Sequence, residues 1–215
     1  VAWVLRWHGE TIDGMPGTGG ELARHLVSTN GLAGVYVECT EDQGDHYDPT
    51  TRTVRLSPAN FDGKSLTAVA VAAHEVGHAI QHQAGDRRLE LRTRLAPAVH
   101  RLGQLSVMAV GFAPMIGLLT RHPVPFSLTL AIGLSGLLAR VLLHGLTLPI
   151  EWDASFNKAL PLLTKGQYIA PGEEKSVRRV LRAAALTYVA AFVTSLATLL
   201  YWAQALGVLG GRSEE

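Results

Sequence analysis

The sequence predicts a mainly α-helical chain with a small β element, an α+β fold whose helices include about three membrane spans. Three observations predict it. Only 17% of the 215 residues are charged and 47% are hydrophobic, whereas an average soluble domain carries about 25% charge. Three long stretches in the second half are nearly free of charge, and two short β-branched alternating runs lie before residue 57. A formal charge of +1 with no long basic run excludes a nucleic-acid binder. The single cysteine, Cys39, excludes an internal disulfide, a multi-cysteine zinc finger and an iron–sulfur site.

The elements follow in order. Gly20–Thr29 is a short amphipathic helix closed by Asn30-Gly31. Val35–Cys39 and Thr53–Leu56 are two strands of a small sheet, separated by the turn-rich segment 41–49. Ser65 as N-cap and Gly85 as C-cap bound one helix across Leu66–Ala84. Gly103–Thr120 carries no charge, Val124–Ile150 only Arg140 and His144 as ionisable groups, and Ala183–Gly211 none. As a helix the last of these reaches about 43 Å, more than the roughly 30 Å of a hydrocarbon core. A chain this short cannot surround three such helices with its own residues. Val1–Leu5 is apolar but too short for a span or a signal-peptide core.

Orientation comes from the basic residues. The segment Arg121–Pro125 is a tight turn, so the first two spans form a hairpin that returns Arg101 and Glu151 to one side. Arg87, Arg88, Arg92, Arg94 and Arg101, with Lys158, Lys165, Lys175, Arg178, Arg179 and Arg182, mark that side as cytosolic by the positive-inside rule. The expected organisation is a cytosol-facing domain 1–101, a transmembrane hairpin 102–150, a cytosolic segment 151–182 and a C-terminal span 183–211 whose end faces out. Arg140, costly at a bilayer centre, is expected to face a bundle interior or a polar cavity.

Inside the Leu66–Ala84 helix lies His74-Glu75-Val76-Gly77-His78, an H-E-x-x-H pattern. Helical positions i and i+4 share a face, so both imidazoles can offer a nitrogen to one metal. Glu75, beside that face, can take a proton from a water that the metal activates. Gly77 lets another element pack close. Nine histidines in the chain allow such a pattern to arise by chance. Yet the flanking Ala70, Val71, Ala72, Ala73, Ala79 and Ile80 imply burial, and two buried imidazoles need a partner or a metal.

A catalytic zinc takes three protein ligands and keeps one position open. His82 and His100 do not fit the spacing of a third histidine. Glu151, the first carboxylate after a long apolar run, can fill the place, although a glutamate at a membrane boundary is also commonly an interfacial residue. The residues alone leave both readings open.

Four blocks carry a resemblance: Asp45-His46-Tyr47-Asp48-Pro49, Ala72–Gln81 around the motif, Thr147–Ser155, and Ala183–Ala191. In these the chain resembles the YugP-like family of membrane-associated neutral zinc metallopeptidases. The resemblance implies a zincin-like, cytosol-facing domain on a membrane helix bundle, one Zn2+ per chain, and a multi-pass location in a bacterial-type inner membrane. By similarity to the gluzincins, in which a Glu-x-x-Ala-Asp segment supplies the third ligand, it implies Glu151 as that ligand. The gluzincin aspartate four residues after the glutamate is Ser155 here, leaving Asp153, Ser155 and Asp48 as candidates for orienting the ligand histidines. Family members usually begin with a further transmembrane helix, which would be ending where this sequence starts.

The expected function is a membrane-bound zinc endopeptidase acting on peptide or protein substrates, membrane proteins among them. His46 and Tyr47, read as turn residues, and His144 are candidate oxyanion stabilisers. The strand around Thr53–Ser57 is expected to be an edge strand that pairs with an extended substrate. Two rivals are a non-catalytic membrane protein with a structural or sensing metal site, which would have no need of Glu75, and a processing protease working in an enclosed chamber. The sequence sets no oligomeric state.

Overall fold

The computed structural model of the chain describes residues 9–11, 15–41 and 44–205. Val1–Leu5 and the end of the third apolar stretch lie outside them. Two compact units result, one from residues 1–90 and 148–187, the other from 91–147 and 188–215.

The first unit opens with helix α1, Gly19–Thr29, fixed by a capping box in which Thr18 accepts from the Glu21 backbone and Glu21 reaches back to the Thr18 N–H. The sheet has three strands: β1 (Tyr36–Cys39), β2 (His46–Asp48) and β3 (Thr53–Leu56), in the order β1-β3-β2. β1 runs parallel to β3 with Tyr36 opposite Thr53, and β2 antiparallel with Tyr47 opposite Val54. This corrects two expectations. His46 and Tyr47 belong to a strand, not a turn, and Thr53–Leu56 is the central strand, not an edge. β2 is too short to reveal its alternation among turn-forming neighbours, and it exists because β3 supplies its hydrogen-bond partners. Asp45 anchors the far end, accepting from the Ser57 backbone, the Ser57 hydroxyl and the Asn60 amide at the start of the short helix α2, Pro58–Phe61.

Helix α3, Leu66–Gln83, carries the H-E-x-x-H pattern. Ser65 Oγ caps its first turn by accepting from the Ala68 N–H. It ends in a Schellman motif: Gly85 takes φ +69°, its N–H donates to the His82 carbonyl, and the Asp86 N–H donates to Gln81. α3 is buried almost all round, in a core shared with Leu26, Val54, Leu56, Leu163, Val177 and Leu181.

Helix α4 spans Arg87–Thr120 and α5 Pro123–Trp152; a π-helical segment, Asp153–Ala159, leads into α6, Leu160–Lys165, and α7 spans Glu174–Ala205. Three helical stretches, Arg87–Thr120, Pro123–Lys165 and Glu174–Gln204, are long and apolar enough to cross a membrane. In the second unit α4 and α5 meet through small residues: a side chain on Gly133 would strike Val110, and one on Gly136 would strike Ser106. The Arg140 guanidinium lies over Gly103, which leaves room for it.

Candidate metal centre

Within the first unit, α3 presents His74 and His78 toward Glu151 near the C-terminal end of α5. Glu151 Oε2 stands 3.2 Å from His74 Nε2 and 3.4 Å from His78 Nε2. The two imidazole rings are 4.7 Å apart and nearly perpendicular. All three side chains are buried, Glu151 to 2% exposure, and their ligand atoms lie within 4.8 Å of one another.

The donor set fits a divalent metal. Although two imidazole nitrogens stand at ion-pair distance, Glu151 Oε2 is a buried carboxylate oxygen that makes no hydrogen bond. Donors around a tetrahedral zinc, at bond lengths of about 2.0–2.1 Å, stand about 3.3–3.4 Å apart, and the spacings to Glu151 match that edge. Each histidine has its other nitrogen held: His74 Nδ1 pairs with Ser155 Oγ at 3.1 Å and His78 Nδ1 with Gln81 Oε1 at 2.9 Å. The Nε2 atoms are therefore the ones left for a common ion.

The turn from α5 into the π-helical segment brings several side chains to α3. Glu151, Ala154, Ser155 and Lys158 all approach α3, Glu151 and Ser155 at His74, and Ala154 and Lys158 at Gly77. Gly77 makes the approach possible, since a Cβ there would lie 2.9 Å from the Ala154 carbonyl oxygen and 3.2 Å from Lys158 Cβ. Electrostatics match. Burial pushes the Glu75 carboxyl above its ordinary value, opposed by His74 and His78 and reinforced by Glu151 and Asp45. Burial alone would lower the His78 imidazole, but the carboxylates of Glu151 and Glu75 hold it above its ordinary value.

The remaining candidates fall in different places. Asp153 reaches the site through Gln81, whose amide nitrogen lies 2.8 Å from its Oδ2. Asp48 is engaged elsewhere, with Thr51, Thr50 and Arg55. His46 Nδ1 donates to the Gly44 carbonyl. The Tyr47 hydroxyl pairs with His82 Nδ1 at 2.8 Å, tying β2 to the motif helix. His144 belongs to the second unit and pairs with Ser195 Oγ. Sequence reasoning missed Gln81; its one signal was a polar side chain one turn beyond His78, on the same buried helix as the motif.

A family model described as "Putative neutral zinc metallopeptidase" matches residues 1–207. Among curated proteins, the chain is 42% identical over 203 residues to "Putative membrane protease YugP" of Bacillus subtilis (strain 168), covering 92% of this chain and 83% of that protein. No solved structure matches. The chain belongs to this neutral zinc metallopeptidase family.

Proposed function

We propose that this member of the neutral zinc metallopeptidases is a membrane-anchored endopeptidase, with His74, His78 and Glu151 as the ligands of one catalytic Zn2+ and Glu75 as general base. The observation that carries the reading is the buried Glu151 oxygen, free of hydrogen bonds, with two imidazole nitrogens at tetrahedral-edge distances. Bound there, zinc would polarise a scissile carbonyl and bring the pKa of a water near 7. Glu75 takes the proton of the attacking water and passes it to the leaving amine. Gln81 keeps the His78 imidazole in the tautomer that leaves Nε2 free, and Ser155 holds the His74 ring in place through Nδ1. Because β3 is central, an extended substrate has β2 as the nearer free edge, against the motif helix through the Tyr47–His82 pair.

The domain arrangement belongs to the same proposal: a zincin-like domain of residues 1–101 together with 151–182 on the cytosolic face, a membrane hairpin over 102–150 and a span over 183–211. The basic residues flanking the apolar stretches support that orientation.

Metal analysis and casein hydrolysis of the purified protein test the chemistry. Glu75→Gln should retain one zinc per chain and lose activity by about 10²–10⁴-fold, while Glu151→Ala should lose the metal. Undiminished hydrolysis by Glu75→Gln overturns the general base, and full zinc content in Glu151→Ala overturns the third ligand.

A further inference from the structure

Gln81 is 1% exposed, on the helix turn after His78. Its Nε2 lies 2.9 Å from the Ile150 carbonyl oxygen and 2.8 Å from Asp153 Oδ2, two groups that only accept. The amide nitrogen must therefore be on that side, which turns Oε1 toward His78 Nδ1 at 2.9 Å. An amide oxygen can only accept, so the hydrogen of the neutral His78 ring sits on Nδ1 and its Nε2 presents a lone pair. The choice between the two tautomers of His78 is thus made by the backbone and a carboxylate of another helix.

Two of these three bonds bracket Glu151. Ile150 immediately precedes it and Asp153 follows two residues later, at the start of the π-helical segment. Asp153 is itself fixed, accepting from Asn157 Nδ2 through Oδ1 at 2.8 Å and facing Lys158 Nζ at 3.7 Å. One side chain therefore sets the ring orientation of one ligand and the position of the helix that carries another.

We propose that Gln81 is a positioning residue of the metal centre, coupling His78 on α3 to the Glu151 segment through the Ile150 carbonyl and Asp153. The proposal rests on the reading that His74, His78 and Glu151 hold the metal. It requires that replacing the amide change the affinity and the geometry of the metal centre, not only the stability of the fold.

The test uses the full chain in detergent, with zinc affinity measured against a competing chelator and ligand geometry read from the visible absorption of the Co2+-loaded protein. Gln81→Met keeps the length and apolar packing and removes all three hydrogen bonds. It should weaken zinc binding by about 10–100-fold, the usual consequence of losing a partner of a ligand histidine, and should shift the Co2+ bands at saturating metal. Gln81→Glu keeps an acceptor for His78 but sets a carboxylate against Asp153. Adding Asp153→Asn reverses the polarity of that one bond, preserves the total charge and leaves an oxygen for Asn157. The double variant should bind zinc about tenfold more tightly than Gln81→Glu alone.

Zinc affinity of Gln81→Met within about threefold of the parent, with unchanged Co2+ bands, overturns the proposal, being well short of the 10–100-fold loss. If Gln81→Met does not yield folded protein, a double variant no tighter than Gln81→Glu overturns it equally. His78→Ala separates the two levels: zinc still bound at one per chain in that variant removes the metal reading itself, and with it this proposal. Loss of zinc there with no effect at Gln81 removes this proposal alone.

Discussion

In the unit made of residues 1–90 and 148–187, Val54, Leu56, Val76 and Leu163 are fully shielded, and the buried ionisable groups cluster at His74, Glu75, His78 and Glu151. In the unit made of 91–147 and 188–215 the pattern is reversed. Leu118 and Leu119 are 77% and 73% exposed, while the interior contacts run through Gly133, Gly136 and Ser106. The first arrangement suits water, and the second suits helices apolar enough to cross a membrane. Helices in lipid gain nothing from burying leucine, so small residues that let backbones approach form their interfaces. The first unit can then afford an ionic, hydrogen-bonded interior only because apolar packing around it is complete.

Paired truncations give the largest expected contrast. Leu163→Ala should cost about 2–5 kcal/mol, because it removes a buried side chain and leaves a cavity. Leu118→Ala should cost about 0.5 kcal/mol or less, since it faces outward. Thermal unfolding in one detergent measures both. Equal losses would dissolve the distinction between the two units.

Glycine substitutions sharpen the contrast at a smaller scale. Gly77→Ala places a methyl 2.9 Å from the Ala154 carbonyl oxygen, a backbone atom of the π-helical segment that cannot swing aside. The strain, about 1–3 kcal/mol, outweighs the roughly 1 kcal/mol that alanine gains in a helix. The same shift moves Ser155 and Glu151 away from α3, so zinc affinity should fall with stability. Gly111→Ala on α4 meets nothing within 4 Å and should stabilise its helix by up to about 1 kcal/mol. A stabilising Gly77→Ala would mean that the close approach of the two helices is not needed.

The motif helix was legible because its determinants are local. Ser65 caps it, Gly85 ends it, and the flanking alanines and valines announce burial before any tertiary contact is known. The three apolar stretches were legible for a similar reason, as length and lack of charge suffice. β2 was not, since His46-Tyr47-Asp48 sits among Gly44, Asp45 and Pro49 and becomes a strand only by pairing with β3. Glu151 was readable from the residues only as a charge at the edge of an apolar run; its approach to α3 depends on Gly77 facing Ala154. Gln81 showed only as a polar residue near the motif, and its role stayed hidden because its partner carbonyl lies 69 positions away in sequence.

The weakest expected effect concerns acid. Among the described residues of the second unit, 91–147 and 188–205, there is no aspartate or glutamate. Among the described residues, the carboxylates whose titration between pH 5 and 2 can change stability therefore lie in the first unit. Asp48 is one source. Burial would raise its pKa, but hydrogen bonds from Thr51, Thr50 and Arg55 outweigh this and hold it at about 2, below the ordinary 3.8. Its folded pKa lies below its unfolded one, so its contribution is complete above pH 3.8 and is lost as the pH falls through about 2. Being partly exposed, the group should contribute no more than about 1 kcal/mol after screening. Asp48→Asn should lower the melting temperature slightly at pH 5 and reduce the further drop between pH 4 and pH 2.5. A variant whose melting temperature falls as steeply as the parent's over that interval would show that the β2–β3 carboxylate is silent, and that the acid response lies in other carboxylates of the same unit.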